Sequence, residues 1–275
     1  MIMYYAGAEA TSKPMKIANI KNILISYYET VGRSKEITSD APALGLEPDR
    51  IFMDSGAFAA YNRNVEIDIY EYIRYLIKWD DWIEVYAGLD VIGNDKETDR
   101  NQDIMEEAGL SPLWTFHLAP NSCPDYNRLR KRIETNDYIA LGGGALRKRR
   151  RIELLKHFDK CFKIMSEYNS IKVHGFGINS LDILKRYPFY SVDSTSYLRG
   201  TKYGNIATFK DAKLKTYYTG RVDGITMGNL LNADSAPERK TKKWIDRTVF
   251  NLLEAEKMGK FITDLWTARG VTWND

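Results

Sequence analysis

From the N-terminus to about Gly200, short β-rich apolar runs alternate with stretches in which apolar residues recur every three or four positions. Eight runs read as strands, beginning near Met3–Tyr5, Asn22–Ser26, Arg50–Met53, Ile83–Leu89, Leu113–His117, Tyr138–Leu141, Ile171–Gly175 and Phe189–Val192. Between them, the segments Asp68–Trp79, Lys96–Ala108, Tyr126–Glu134, Arg149–Tyr168 and Ser180–Arg186 read as amphipathic helices. This alternation predicts a parallel sheet covered by helices, and eight repeats of it predict an α/β fold of the closed (β/α)8 TIM-barrel type. The rival, an open doubly wound sheet, usually carries a glycine-rich nucleotide fingerprint after its first strand, and none follows Tyr5.

The rhythm stops past Gly200. Lys202, Lys210, Lys213 and Lys215 stand among aromatics, followed by Gly220, Gly224 and Gly228 and a charged segment from Pro237. This stretch, about 200–240, reads as a basic, aromatic extension in the form of a charged loop. A last helix is expected over Lys242–Met258, with Trp244, Ile245, Val249, Leu252, Leu253 and Ala255 on the face that closes the barrel. One domain over residues 1–275 is the economical division, since a single barrel of this type takes about 250 residues. No internal repeat, low-complexity tract or linker interrupts it.

Composition narrows the picture only slightly. A net charge of +3 is too small to argue for a nucleic-acid partner, so any such case rests on local clusters. Two clusters stand out: Arg147-Lys148-Arg149-Arg150-Arg151, and Arg199 with Lys202, Lys210, Lys213 and Lys215. Cys123 and Cys161 are too few for a disulfide framework or a four-cysteine zinc site, which fits a reducing compartment. Met1–Ala6 has no basic leader and no membrane-length apolar run follows, so the expected location is cytoplasmic.

Candidate chemistry gathers where predicted strands end. Asp54 follows the third strand and Asp193 the eighth, and the C-terminal ends of barrel strands face the reaction centre. Two aspartates so placed can act as nucleophile and proton carrier. The plainer alternatives are a helix N-cap for Asp54 and a turn for Asp193. Asp90 ends the fourth strand and is also compatible with a turn. Gly142, Gly143 and Gly144 after the sixth strand would let a planar ligand lie against the main chain, cradle an anion, or simply turn the chain. His117 and His174 sit at the ends of strands five and seven and form no plausible metal triad.

Asp54-Ser55-Gly56-Ala57-Phe58 and Ser191-Val192-Asp193-Ser194-Thr195-Ser196-Tyr197-Leu198-Arg199-Gly200 resemble segments of the tRNA-guanine transglycosylase superfamily, most closely its phage and bacterial branch thought to act on DNA. The resemblance is motif-level and runs from about Arg50 to Gly200. It implies that Asp193 is the nucleophile and Asp54 the general acid and base. Asp90 would read the base edge, with His117 in place of a family glutamine. Ser55, Phe58, Gly142, Gly143, Gly144 and Gly175 would complete the base site, with Gly175 or Gly177 making room for the ribose. Ala57 replaces a family glycine, and the spacing of Asp193, Thr195, Arg199 and Gly200 is not identical to the family's.

Arg147, Arg149, Arg150, Arg199 and Lys202 would hold nucleic-acid phosphates. Tyr197, Tyr203, Phe209, Tyr217 and Tyr218 would stack exposed bases. The tRNA-acting members carry a C-terminal zinc site of three cysteines and one histidine, whereas no cysteine or histidine follows His174 here. The expectation is therefore a barrel without the zinc-binding insert, with DNA as polymer and a free 7-deazaguanine, such as the 7-cyano form, as second substrate. No cofactor or metal is implied. A zinc-free tRNA enzyme and a non-catalytic nucleic-acid-binding subunit are the alternatives, and a homodimer or helper proteins remain open. If a phage encodes the chain, the compartment is the host cytoplasm.

Overall fold

The computed structural model describes residues 1–31, 44–118, 124–142, 151–168, 171–202, 204–218 and 240–273; at 199, 200, 202, 218 and 240–243 only the backbone is described. Eight strands form one sheet: Ile2–Ala6 (β1), Asn22–Ser26 (β2), Arg50–Asp54 (β3), Val85–Tyr86 (β4), Thr115–His117 (β5), Tyr138–Gly142 (β6), Lys172–Gly175 (β7) and Ser191–Ser194 (β8). Every pairing is parallel, in the order β4-β3-β2-β1-β8-β7-β6-β5. The two edges meet at a parallel bridge between Ala87 and Leu113. There Leu113 N–H donates to Tyr86 O at 2.8 Å and Gly88 N–H donates to Leu113 O at 3.3 Å. The expected α/β barrel is thus present in its coarse form, a curled, all-parallel (β/α)8-like sheet.

The fourth strand is far shorter than the Ile83–Leu89 expected. At Gly88 the backbone presses so closely on Gln102 that a Cβ would lie 2.6 Å from its Oε1. Gln102 Nε2 in turn donates to Pro112 O at 2.8 Å, so a side chain takes over where a ladder would continue. Eight helices match or add to the expected set: Ala8–Ile17 (α1), Tyr27–Thr30 (α2), Ala57–Tyr61 (α3), Ile69–Lys78 (α4), Asp95–Glu107 (α5), Tyr126–Ile133 (α6), Arg151–Met165 (α7) and Leu181–Arg186 (α8). Asp68, Asn94 and Asp125 cap α4, α5 and α6 through their side-chain oxygens, which fixes where those helices begin. A further helix, Ser196–Lys202 (α9), follows β8 directly.

The two-residue period of a strand sorts the sheet's side chains. Tyr4, Ala6, Leu24, Phe52, Ala87, Leu113 and Ala140 cluster inside the barrel. Met3, Tyr5, Ile23, Ile25, Ile51, Met53, Phe116, Ile139, Leu141, Val173 and Val192 belong to the larger core shared with the helices. One further step of two along the inward face leads from Phe52 to Asp54, from Ala140 to Gly142 and from Thr115 to His117. Asp99 secures β5 from behind, accepting from Trp114 Nε1 at 3.1 Å and from Arg128 Nε at 2.6 Å.

The C-terminal third departs from expectation. Where a charged loop was expected, Asn205–Lys210 (β9) and Lys213–Tyr218 (β10) form an antiparallel hairpin. Asp211 and Ala212 make its two-residue turn at φ 52° and 54°, the left-handed pair that matches strand twist. The last helix is Lys240–Ala268, ten residues longer than expected at its C-terminal end, because its buried seam continues through Met258, Ile262 and Trp266. Leu253, expected on that seam, is 44% exposed, and the polar Thr248, Asn251 and Glu254 are buried instead. Among the described residues no helix is long and apolar enough to cross a membrane.

Asn251 is the polar rivet of this region. Its Oδ1 accepts from Ala207 N–H at 2.9 Å, and its Nδ2 lies within 3.1–3.3 Å of Tyr197 O, Thr201 Oγ1 and Asn205 O. Asn251→Ala strands these buried groups without partners and is expected to cost about 1–3 kcal/mol in urea unfolding. Substitution of the exposed Leu253 by Ala is expected to change little by the same measure.

Candidate active site

At the C-terminal end of the barrel a cavity of about 280 Å³ is lined by Asp54, Asp90, His117, Gly142, Gly177 and Asp193, among others. The sequence placed all of these at strand ends or just beyond, and the fold brings them to one chamber. Asp54 closes β3, and the chain then turns sharply through the buried Ser55 and through Gly56 at φ 76°. A Cβ at Gly56 would lie 2.5 Å from Ser26 Oγ and 2.6 Å from Tyr28 Cβ, so both the backbone angle and the space require glycine.

Burial, followed by the nearby Asp193 carboxylate, pushes the Asp54 carboxyl up from 3.8 to about 7. Asp90 and Glu9 add to the repulsion, while a hydrogen bond from the Gly56 amide partly offsets it. Glu9 reaches the region from α1, where its Oε1 accepts from Ser26 N–H at 2.5 Å. No motif pointed to Glu9, since only the fold carries α1 to this end of the barrel.

Asp193 is buried at the end of β8 and accepts from Gly177 N–H at 2.7 Å. Gly177 has φ 67° with open space where its Cβ would stand, so the left-handed backbone that aims this amide is the reason for glycine. Asn179 Nδ2 donates to Ser194 Oγ at 3.1 Å and ties the same loop to the residue after Asp193. The two carboxyl groups thus sit in contrasting settings: one is held near neutral-pH protonation, the other is fixed by a backbone amide.

On another wall His117 Nε2 and Asp90 Oδ2 are 2.7 Å apart. Burial alone would lower the His117 pKa, but the Asp90 carboxylate outweighs it and the imidazole is raised above its ordinary value. The loop bearing Asp90 is braced by Thr98 Oγ1, which accepts from Val91 N–H at 2.8 Å, and by Asn101 Nδ2, which donates to Leu89 O at 3.0 Å. The His117 ring lies flush on Gly142, where a Cβ would fall 2.4 Å from Nδ1.

Other expected site residues are scattered. Phe58 is 45% exposed and forms part of the cavity lip, and Ser55 lines the wall. Gly175 points elsewhere: its Cβ would meet Phe189 and Ile178 at 2.9 and 3.0 Å, on the helix side of β7. Tyr197, expected to stack on a base, is buried with its hydroxyl donating to Ala6 O at 2.7 Å. Phe209 packs on Phe261 at 5.4 Å between ring centroids. Gly143, Gly144, Arg147, Arg149, Arg150 and Tyr203 lie outside the described residues, as do the side chains of Arg199, Lys202 and Tyr218. Among the described residues no cluster of three His, Cys, Asp or Glu is arranged to hold a metal ion.

Gly142→Ala is expected to push His117 off Asp90. Burial then dominates the imidazole, and its pKa, followed by NMR titration, is expected to fall. A search of protein-family models finds none that matches this chain, and no curated protein matches it either.

Proposed function

We propose that the protein exchanges guanine in DNA for a free 7-deazaguanine base through a covalent aspartyl-deoxyribose intermediate. The observation that carries this reading is the convergence of Asp54 and Asp193 on one cavity, with Asp54 protonated to around pH 7 and Asp193 anchored by Gly177 N–H. The resemblance of the segments around both aspartates to the guanine transglycosylases supplies the substrate class.

In the proposed reaction an Asp193 carboxylate oxygen attacks the anomeric carbon as the glycosidic C–N bond breaks, and Asp54 gives its proton to the departing guanine. Asp54, now ionised, takes a proton from the incoming base. That base's nitrogen attacks the same carbon and Asp193 leaves, which restores both carboxyl groups. Asp90 accepts from the imino and exocyclic amino groups that guanine presents together, and His117 sets the orientation of Asp90. Phe58 at the lip offers a face to a base entering from a flipped nucleotide. The lysines of the hairpin, Lys213 and Lys215, and those of the neighbouring segments contribute to phosphate binding, so affinity should fall with salt.

The test is to trap the intermediate by denaturing the protein after incubation with guanine-containing DNA or with tRNA. A mass-shifted DNA adduct is expected in the wild type and its loss in Asp193→Ala. An adduct on tRNA alone would replace DNA by tRNA as substrate, and no adduct on either would sink the enzyme reading.

Asp54 supplies a pH signature. As a proton donor it must be protonated, so guanine release is expected to decline above about pH 7. The same shift bears on stability. Because the folded pKa lies above the unfolded one, this group's stabilisation is full below about 3.8 and is lost as pH rises through about 7. The melting temperature of Asp54→Asn relative to wild type is therefore expected to improve across that window and then level off.

A further inference from the structure

Behind Asp193 a histidine lies buried that the proposed reaction does not use. His174 is wholly inaccessible to solvent and is caged by Phe176, Phe52 and Tyr4 at centroid distances of 4.5, 4.6 and 6.2 Å. Its Nδ1 is 2.7 Å from Ser191 Oγ, which in turn is 2.6 Å from Tyr138 Oη. Its Nε2 faces Asp193 Oδ1 at 3.4 Å without a formed hydrogen bond, and among the described residues it has no other partner.

We propose that His174 is a positioning residue for Asp193, its Nε2–H fixed by a one-way chain from Tyr138 through Ser191 and directed at Oδ1 so that the other carboxylate oxygen is free to attack. The proposal rests on Asp193 being the nucleophile. The chain can run in two directions. In the first, Tyr138 donates to Ser191, Ser191 donates to Nδ1, and Nε2 carries the proton toward the carboxylate. In the second, Nδ1–H donates to Ser191, and a bare Nε2 lone pair faces an anion.

Coulomb repulsion in a water-free cage rejects the second arrangement. A doubly protonated ring is disfavoured as well, since burial lowers the His174 pKa and Asp193 only partly opposes it. The Gly177 N–H also falls on Oδ1, and among the described residues Oδ2 accepts no hydrogen bond. With the Gly177 N–H bonded to Oδ1 and the Nε2–H facing the same oxygen, Oδ2 is the oxygen presented to substrate. A slight rotation of the carboxylate would close the 3.4 Å gap and satisfy a buried donor that otherwise costs free energy.

The chain contains only three histidines, which makes the ring nitrogens directly observable. In protein labelled with ¹⁵N in its histidine rings, long-range NMR correlations near neutral pH are expected to show His174 as the neutral Nε2–H tautomer, identified by its loss in His174→Gln. Ser191→Ala should release that tautomer. An Nδ1–H tautomer or an imidazolium in the wild type would overturn the proposal.

Kinetics form the second arm. His174→Gln, whose amide nitrogen can reach the Nε2 position, is expected to retain most of the rate of adduct formation. His174→Asn should lose about 100-fold with DNA binding unchanged. Ser191→Ala, which keeps the imidazole, should lose rate in the same direction and covers the case in which the asparagine variant fails to fold. If Asp193→Ala abolishes the adduct while His174→Asn and Ser191→Ala match wild type, the positioning role is wrong and the nucleophile stands. If Asp193→Ala leaves the adduct intact, both fall.

Discussion

A ring of parallel strands forces every second residue toward its axis, and whatever the sequence sets at the last inward position of each strand must share the chamber above the barrel. In this protein that rule turns Phe52 into the floor under Asp54, and Ala140 into the floor under Gly142. The ring closes at its weakest seam through the Ala87–Leu113 bridge. That seam lies between the walls that carry Asp90 and His117, and side chains such as Gln102 supply the bonds that a longer ladder would have made.

Gathering three aspartates in one place is electrostatically costly, and the surroundings determine how the charge is distributed. Asp193 receives a backbone amide, Asp90 receives an imidazole, and Asp54 has the Gly56 amide set against burial and three neighbouring carboxylates, Asp193, Asp90 and Glu9. Burial and that repulsion push the Asp54 carboxyl up to about 7. Glycine recurs at these contacts because main chain and ring must approach within a distance that a Cβ would block, at Gly56 beside Tyr28 and at Gly142 beneath His117.

The C-terminal third is built on a different principle. The hairpin presents the β9 backbone to the last helix, and Asn251 and Glu254 satisfy its Ala207 and Phe209 amides at 2.9 and 2.6 Å. Lys185 Nζ ties the turn back to α8 by donating to Ala212 O at 2.7 Å. Polar side chains here do the joining that apolar residues do elsewhere, which anchors a basic hairpin to the barrel while β10 keeps Lys213 and Lys215 exposed.

The alternation of strand and helix and the residues at the strand ends were legible in the linear chain, because local runs and a period of 3.6 leave their mark on neighbouring positions, whereas the inward face of each strand emerged with the fold. It located Asp54, Asp90, His117, Gly142 and Asp193 without any contact between them. It could not reveal the hairpin, whose turn lacks the usual Asn-Gly signal and whose edge is held by residues some 45 positions away. Nor could it separate Gly175 from Gly177, which lie two apart but differ in whether the backbone faces the helices or aims an amide at Asp193. The raised pKa of Asp54 and the sealing of His174 behind Asp193 arise only in the folded chain, since burial and pairwise charge depend on distances that the linear chain does not contain.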